Sequence, residues 1–69
     1  MKISARNSIK GKIKKITKGP VSTEVVIAVG KGIEVVSVIS TGSAKSLGLK
    51  KGGEAYAVIK SSNVMIAID

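Results

Sequence analysis

The stretch "IEVVSVISTGSAKSLGLKKGGEAYAVIK", residues 33–60, decides the fold, because it changes from strand to short helix and back to strand. Residues 33–40 and 54–60 are rich in β-branched and other apolar residues, which is typical of strands. The residues between them are too many for a tight hairpin turn. A helix that links the third and fourth strands is the plan of a small OB-type barrel.

The connection itself has the start and stop signals of a helix. Ser40, Thr41 and Ser43 are all residues that cap helix N-termini. Ala44 begins the apolar side of the predicted helix, and Gly48 stands where a left-handed C-terminal cap belongs. The sequence therefore predicts one short helix that ends at Gly48.

The rest of the chain alternates with a period of two. Residues 8–17 and 21–29 predict two strands before the quoted stretch, and residues 64–68 predict a last strand after it. Ile16 falls out of phase with the first strand, which predicts a bulge near Lys14–Lys15. The expected fold is all-β with one short helix, an OB-like five-stranded barrel.

Length and composition limit the possible functions. The 69 residues make one domain, 1–69, and contain neither cysteine nor histidine, so a disulfide framework and a zinc site are both unexpected. Hydrophobic residues make up 43% of the chain, which is much apolar surface for so small a core and predicts a homo-oligomer. With no signal sequence and no apolar run of about 20 residues, a cytoplasmic protein without membrane contact is expected.

The net charge of +8 raises the possibility of nucleic-acid binding. Tyr56 is the only aromatic residue, however, and single-stranded nucleic acid is usually held by bases that stack on aromatic rings. The lysines around the first strand therefore indicate a solvated face that also attracts small anions. Nucleic-acid binding by a basic OB module stays open as the alternative.

A single arginine, Arg6, stands among eleven lysines, within the motif "SARN" that begins at Ser4. Its planar fork of donors suits a fixed oxyanion. Two interpretations without a bound anion stay open. Arg6 can form an ion pair with Glu24 or Glu54 at an interface, and the neighbouring polar residues can cap a turn.

Three motifs together carry a resemblance to a known family. "SARN" at 4–7, "SVIS" at 37–40 before a helix ending in "LGL", and "VIKSSNVMI" at 58–66 resemble the molbindins, small molybdate-binding proteins built from a single Mop domain. The resemblance implies binding of molybdate, and of tungstate as its near-isostere, for storage or buffering. It also implies a hexamer, arranged as a trimer of dimers, with oxyanion sites at subunit interfaces.

The resemblance also implies which residues hold the oxyanion. They are Ser4, Arg6 and Asn7 at the start of the first strand, Lys60 and Ser61 at the end of the fourth, and Ser40 from a neighbouring subunit. Molybdate is a tetrahedral dianion that only accepts hydrogen bonds, and these residues offer donors without a carboxylate among them. None of them supplies sulfur or imidazole, so the ligand is the intact oxyanion and no metal ligand is expected.

These residues also have interpretations without a bound ligand. Lys60 can be a solvated strand end, and residues 61–63 can be an ordinary polar turn.

An enzyme is not expected, because the chain has no histidine, no cysteine and no pair of acids near a motif. Accordingly, no catalytic cofactor is expected.

Overall fold

One antiparallel sheet with the strand order β3-β2-β1-β4 forms the body of the protein. The computed structural model describes residues 1–69. Its elements are β1 (Asn7–Lys18), β2 (Ser22–Gly30), β3 (Ile33–Ser40), α1 (Thr41–Ser46), β4 (Glu54–Ile59) and a 3₁₀ helix (Ser61–Asn63). The predicted order of three strands, one helix and a further strand is confirmed.

The long strand β1 bends so that it serves two partners. Its first half pairs with β4 and its second half with β2. The register with β2 shifts between Ile13 and Lys15, where the sequence predicted a bulge. Two residues before this shift, a Cβ on Gly11 would clash with the carbonyl oxygen of Ala28 and would lie 2.7 Å from Cγ2 of Ile27. Only glycine allows the two backbones to approach this closely.

The helix α1 connects β3 to β4 as expected. Ser40 caps its start, because the Ser40 hydroxyl accepts a hydrogen bond from the Ser43 backbone N–H at 3.0 Å. Gly48 has a φ of +63°, which confirms the predicted left-handed residue after the helix. No helix of this protein has the length and apolar character needed to cross a membrane.

The core is small for the apolar content of the chain. Ile13, Val25, Ile27 and Ala57 form its buried centre, and only 7 of 69 residues are buried. Large apolar side chains on β3 stay exposed, among them Val38 at 67%. This much exposed apolar surface agrees with the expectation that the chain associates with other copies.

The predicted fifth strand, 64–68, is wrong for the single chain. After the 3₁₀ helix the segment forms no strand and pairs with no other part of the sheet. Its side chains are largely in solvent: Met65 is 92% exposed, Ile66 86% and Ile68 93%. A strand needs a hydrogen-bonded partner, and an apolar pattern does not tell whether that partner is in the same chain.

Candidate functional site

A cavity of about 680 Å³ lies where the start of β1 meets the end of β4. The two ends are neighbours because the strands are antiparallel and Asn7 pairs with Ile59. The cavity is lined by Ser4, Ala5, Arg6, Val58, Lys60, Ser61, Ser62 and Asn63. Four of the six residues that the family resemblance implied, Ser4, Arg6, Lys60 and Ser61, therefore line one cavity although 54 or more positions separate the two groups.

The cavity carries two positive charges and no negative one. Arg6 and Lys60 both line it, and no carboxylate does. Arg6 forms no ion pair with Glu24 or with Glu54 in this chain, and Glu54 instead contacts Lys10, with 3.4 Å between Nζ and Oε2. The guanidinium of Arg6 is therefore free to bind an anion.

The 3₁₀ helix adds neutral donors on the β4 side. Ser62 and Asn63 line the cavity beside Ser61, and the sequence interpretation did not include them as site residues. Asn63 N–H donates to the Lys60 carbonyl at 2.8 Å and Val64 N–H to the Ser61 carbonyl at 3.3 Å. The N–H groups of Ser61 and Ser62 donate to no carbonyl, as is usual for the first residues of a helix. The motif "SSN" contained this signal, because two serines and an asparagine after a strand offer donors as well as a turn.

Asn7 takes a different position from its sequence neighbour Arg6. Its side-chain Nδ2 donates to the carbonyl oxygen of Ile59 at 3.3 Å, and it does not line the cavity. This hydrogen bond fastens the start of β1 to the end of β4. Within one chain Asn7 thus holds together the two strand ends that carry Arg6 and Lys60.

Ser40 lies outside the cavity, at the end of the edge strand β3. Its hydroxyl caps α1 and donates to Ser43 Oγ at 2.7 Å. The adjacent Thr41 N–H donates to the Val21 carbonyl at 2.8 Å, so it is not available to an anion. The cavity of one chain is formed without Ser40.

The cavity is open to solvent in a single chain. Ser4, Arg6, Lys60 and Ser61 are all exposed, and Val58 beside them is 47% exposed. Interactions between exposed charges and an anion are weakened by water and salt. A tight site at this position needs a further surface that covers it.

Comparison with known proteins places the chain in a family. Residues 3–66 match the TOBE domain. Molybdenum-pterin-binding protein 3 of Clostridium pasteurianum is 52% identical over 66 residues, which cover 96% of this chain and 97% of that protein. A probable molybdenum-pterin-binding protein of Haemophilus influenzae is 45% identical over 69 residues, the full length of both chains.

Solved structures agree with this assignment. MopII from Clostridium pasteurianum superposes with a TM-score of 0.91 at 46% identity, over 97% of this chain and all of that one. A molybdate-binding protein from Sporomusa ovata also gives 0.91, at 34% identity, over 99% of this chain and all of that one. The cytoplasmic molybdate-binding protein ModG, with molybdate bound, gives 0.88 at 43% identity over 94% of this chain and 46% of its own. The four strands and short helix described above thus form an OB-like fold, and the chain belongs to the TOBE-domain family as a Mop-domain protein of the molbindin type.

Proposed function

We propose that this protein binds molybdate, and tungstate as its near-isostere, in the cavity between the ends of β1 and β4. The observation that carries the proposal is the meeting of Arg6 and Lys60 in a cavity without any carboxylate. The molybdate-binding relatives support this ligand class over nucleic acid. No aromatic side chain lines the cavity, so it offers no platform for a base.

The donor set matches the chemistry of the anion. Arg6 and Lys60 balance the two negative charges, and hydrogen bonds from charged donors are roughly twice as strong as neutral ones. The hydroxyls of Ser4 and Ser61, and the free N–H groups of the 3₁₀ helix, serve the remaining oxygens. No side chain supplies sulfur or imidazole, so the oxyanion binds intact. The protein acts as a binding protein and needs no catalytic cofactor.

We also propose that oligomerisation completes the site. The assembly is a hexamer, a trimer of dimers, in which Ser40 of a neighbouring subunit closes the cavity and turns its hydroxyl proton from Ser43 Oγ to the anion. Asn7 supports the site by holding the start of β1 to the end of β4. Two observations support association: the apolar segment 64–68 lies unpaired in solvent, and the edge strand β3 exposes Val38. Covering the cavity excludes water and strengthens each electrostatic contact with the anion.

The expected cellular role is storage or buffering of molybdenum in the cytoplasm, with residues 1–69 acting as one oxyanion-binding domain. Reversible binding by hydrogen bonds and charge suits this role, because the anion is released unchanged. The description of ModG as cytoplasmic supports the location.

Isothermal titration of the purified protein with molybdate tests the proposed function, with sulfate as a parallel control at moderate salt. Micromolar or tighter binding of molybdate with little heat from sulfate is expected. Absence of heat from both anions, in protein shown to be free of bound ligand, would refute the proposal.

A further inference from the structure

A second cationic surface lies at the far end of β1, where two cavities of about 560 and 490 Å³ adjoin. They share Ile16, Lys18, Leu49 and Lys50. We call the surface the lysine groove; its charged residues are Lys14, Lys15, Lys18, Lys45, Lys50 and Lys51. None of its lining residues belongs to the candidate oxyanion cavity, so it is a separate feature.

The charges of the groove are almost entirely unbalanced. No carboxylate lines either cavity. Lys14 pairs with Glu34, and the other five lysines form no ion pair. Half of the protein's twelve basic residues thus converge on one groove, whose field concentrates anions from solution. Repulsion between the lysines of two copies also opposes the use of this surface as a contact between two copies of the chain.

The polar groups between the lysines are already satisfied. Thr41 donates its hydroxyl proton to the Gly19 carbonyl at 2.7 Å, so the 2.9 Å contact between Thr23 and Thr41 uses the proton of Thr23. Neither hydroxyl therefore has a proton left for a ligand. The side chains of the groove offer only flexible ammonium groups to a ligand, without the guanidinium and serine hydroxyls that line the candidate oxyanion cavity.

Three backbone carbonyls of the groove already accept hydrogen bonds within the chain. The carbonyls of Ala44, Lys45 and Lys50 accept hydrogen bonds from Leu49, Gly48 and Gly53. An acidic peptide brings N–H donors that need such acceptors, and a nucleobase needs an aromatic platform, which the lining lacks. A condensed phosphate chain needs neither, because it carries only acceptors and closely spaced negative charge.

We propose that the lysine groove binds linear condensed phosphate of three or more units. Recognition is by point charges along the chain, with Lys18 and Lys50 at the centre, where the two cavities meet. A nucleoside triphosphate carries the same phosphate chain, but no aromatic residue lines the groove to bind its nucleoside.

The test is titration of the intact protein with inorganic triphosphate at low salt. Since one charge contact at about 4 Å is worth about 1 kcal/mol in water, Lys50→Ala is expected to weaken binding about five-fold and Lys18→Ala/Lys50→Ala about 25-fold. Lys31→Ala is the matched control, because it removes the same charge from the turn between β2 and β3, outside the groove. Lys50→Arg keeps the charge and is expected to keep the affinity.

Two further titrations separate this inference from the proposed function. ATP is expected to bind no more tightly than inorganic triphosphate, and molybdate is expected to bind Lys50→Ala as it binds the unchanged protein. No triphosphate binding, equal loss in Lys50→Ala and Lys31→Ala, or much tighter binding of ATP would overturn the inference. Loss of molybdate affinity in Lys50→Ala would also overturn it, because the groove would then belong to the oxyanion site.

Discussion

Replacement of Arg6 by alanine is the most informative single change in the proposed oxyanion site. Arg6 is exposed and forms no ion pair, so its removal breaks no contact within the chain. We expect the free energy of unfolding to change by less than about 0.5 kcal/mol, the usual range for surface substitutions. A hydrogen bond to a charged group contributes about 1.5–3 kcal/mol, so molybdate affinity is expected to fall about 10- to 100-fold.

The assay is isothermal titration with molybdate, together with a thermal melt of each variant without ligand. Arg6→Lys keeps the charge but loses the planar fork, so its affinity is expected to lie between those of the unchanged protein and Arg6→Ala. Lys31→Ala removes one positive charge from the turn between β2 and β3, which does not line the cavity. It is expected to bind molybdate within about two-fold of the unchanged protein, because water and salt screen an exposed charge that does not contact the anion.

Two results would refute this reasoning. If Arg6→Ala binds molybdate as tightly as Lys31→Ala does, Arg6 does not hold the anion. If Arg6→Ala lowers the free energy of unfolding by much more than about 0.5 kcal/mol, Arg6 has a structural role that the contacts of the chain do not show.

The remaining predictions concern the fold and the assembly. Gly11→Ala is expected to lose about 1–3 kcal/mol of stability, because the new methyl meets the Ala28 carbonyl at the bend of β1; an unchanged melting temperature would contradict this contact. Ser40→Ala removes the cap that accepts from Ser43 N–H and is expected to cost about 1 kcal/mol in a thermal melt, whereas equal stability would mean that the cap contributes nothing. Deletion of residues 64–69 is expected to give a smaller assembly in sedimentation, since the exposed apolar segment is removed; an unchanged mass would exclude this segment from the interface.

Local features of the fold were predictable from the sequence because each has a local physical cause. The bulge between Ile13 and Lys15 follows from a break in alternation. The left-handed Gly48 and the cap at Ser40 follow from the chemistry of helix ends. Because these features depend on a few neighbouring residues, they can be predicted from the sequence alone.

The fifth strand was not predictable in the same way. Residues 64–68 have an apolar pattern that suits a strand, yet no strand of the same chain accepts them. The hydrophobic pattern of the sequence indicates which residues avoid water, but it does not indicate which surface covers them. Exposed apolar residues in so short a chain are the physical basis of the proposal that another copy of the chain covers them.

Which residues line the two cationic surfaces could also not be predicted from the sequence alone. Ser62 and Asn63 line the candidate oxyanion cavity together with Arg6 because they form a 3₁₀ helix directly after β4, whereas the sequence indicates only a polar turn there. Lys15 and Lys50 meet in the lysine groove although 35 positions separate them in the sequence. Contacts of this kind follow from the register of the sheet, which composition does not contain.

We propose that one oxyanion is held by Arg6 and Lys60 of one subunit and Ser40 of a neighbour. Anomalous diffraction at the molybdenum absorption edge, from crystals grown with molybdate, tests it most directly. We expect one strong anomalous peak within hydrogen-bonding reach of these three side chains at a subunit interface. A peak elsewhere, or a cavity that stays empty at saturating molybdate, would contradict it.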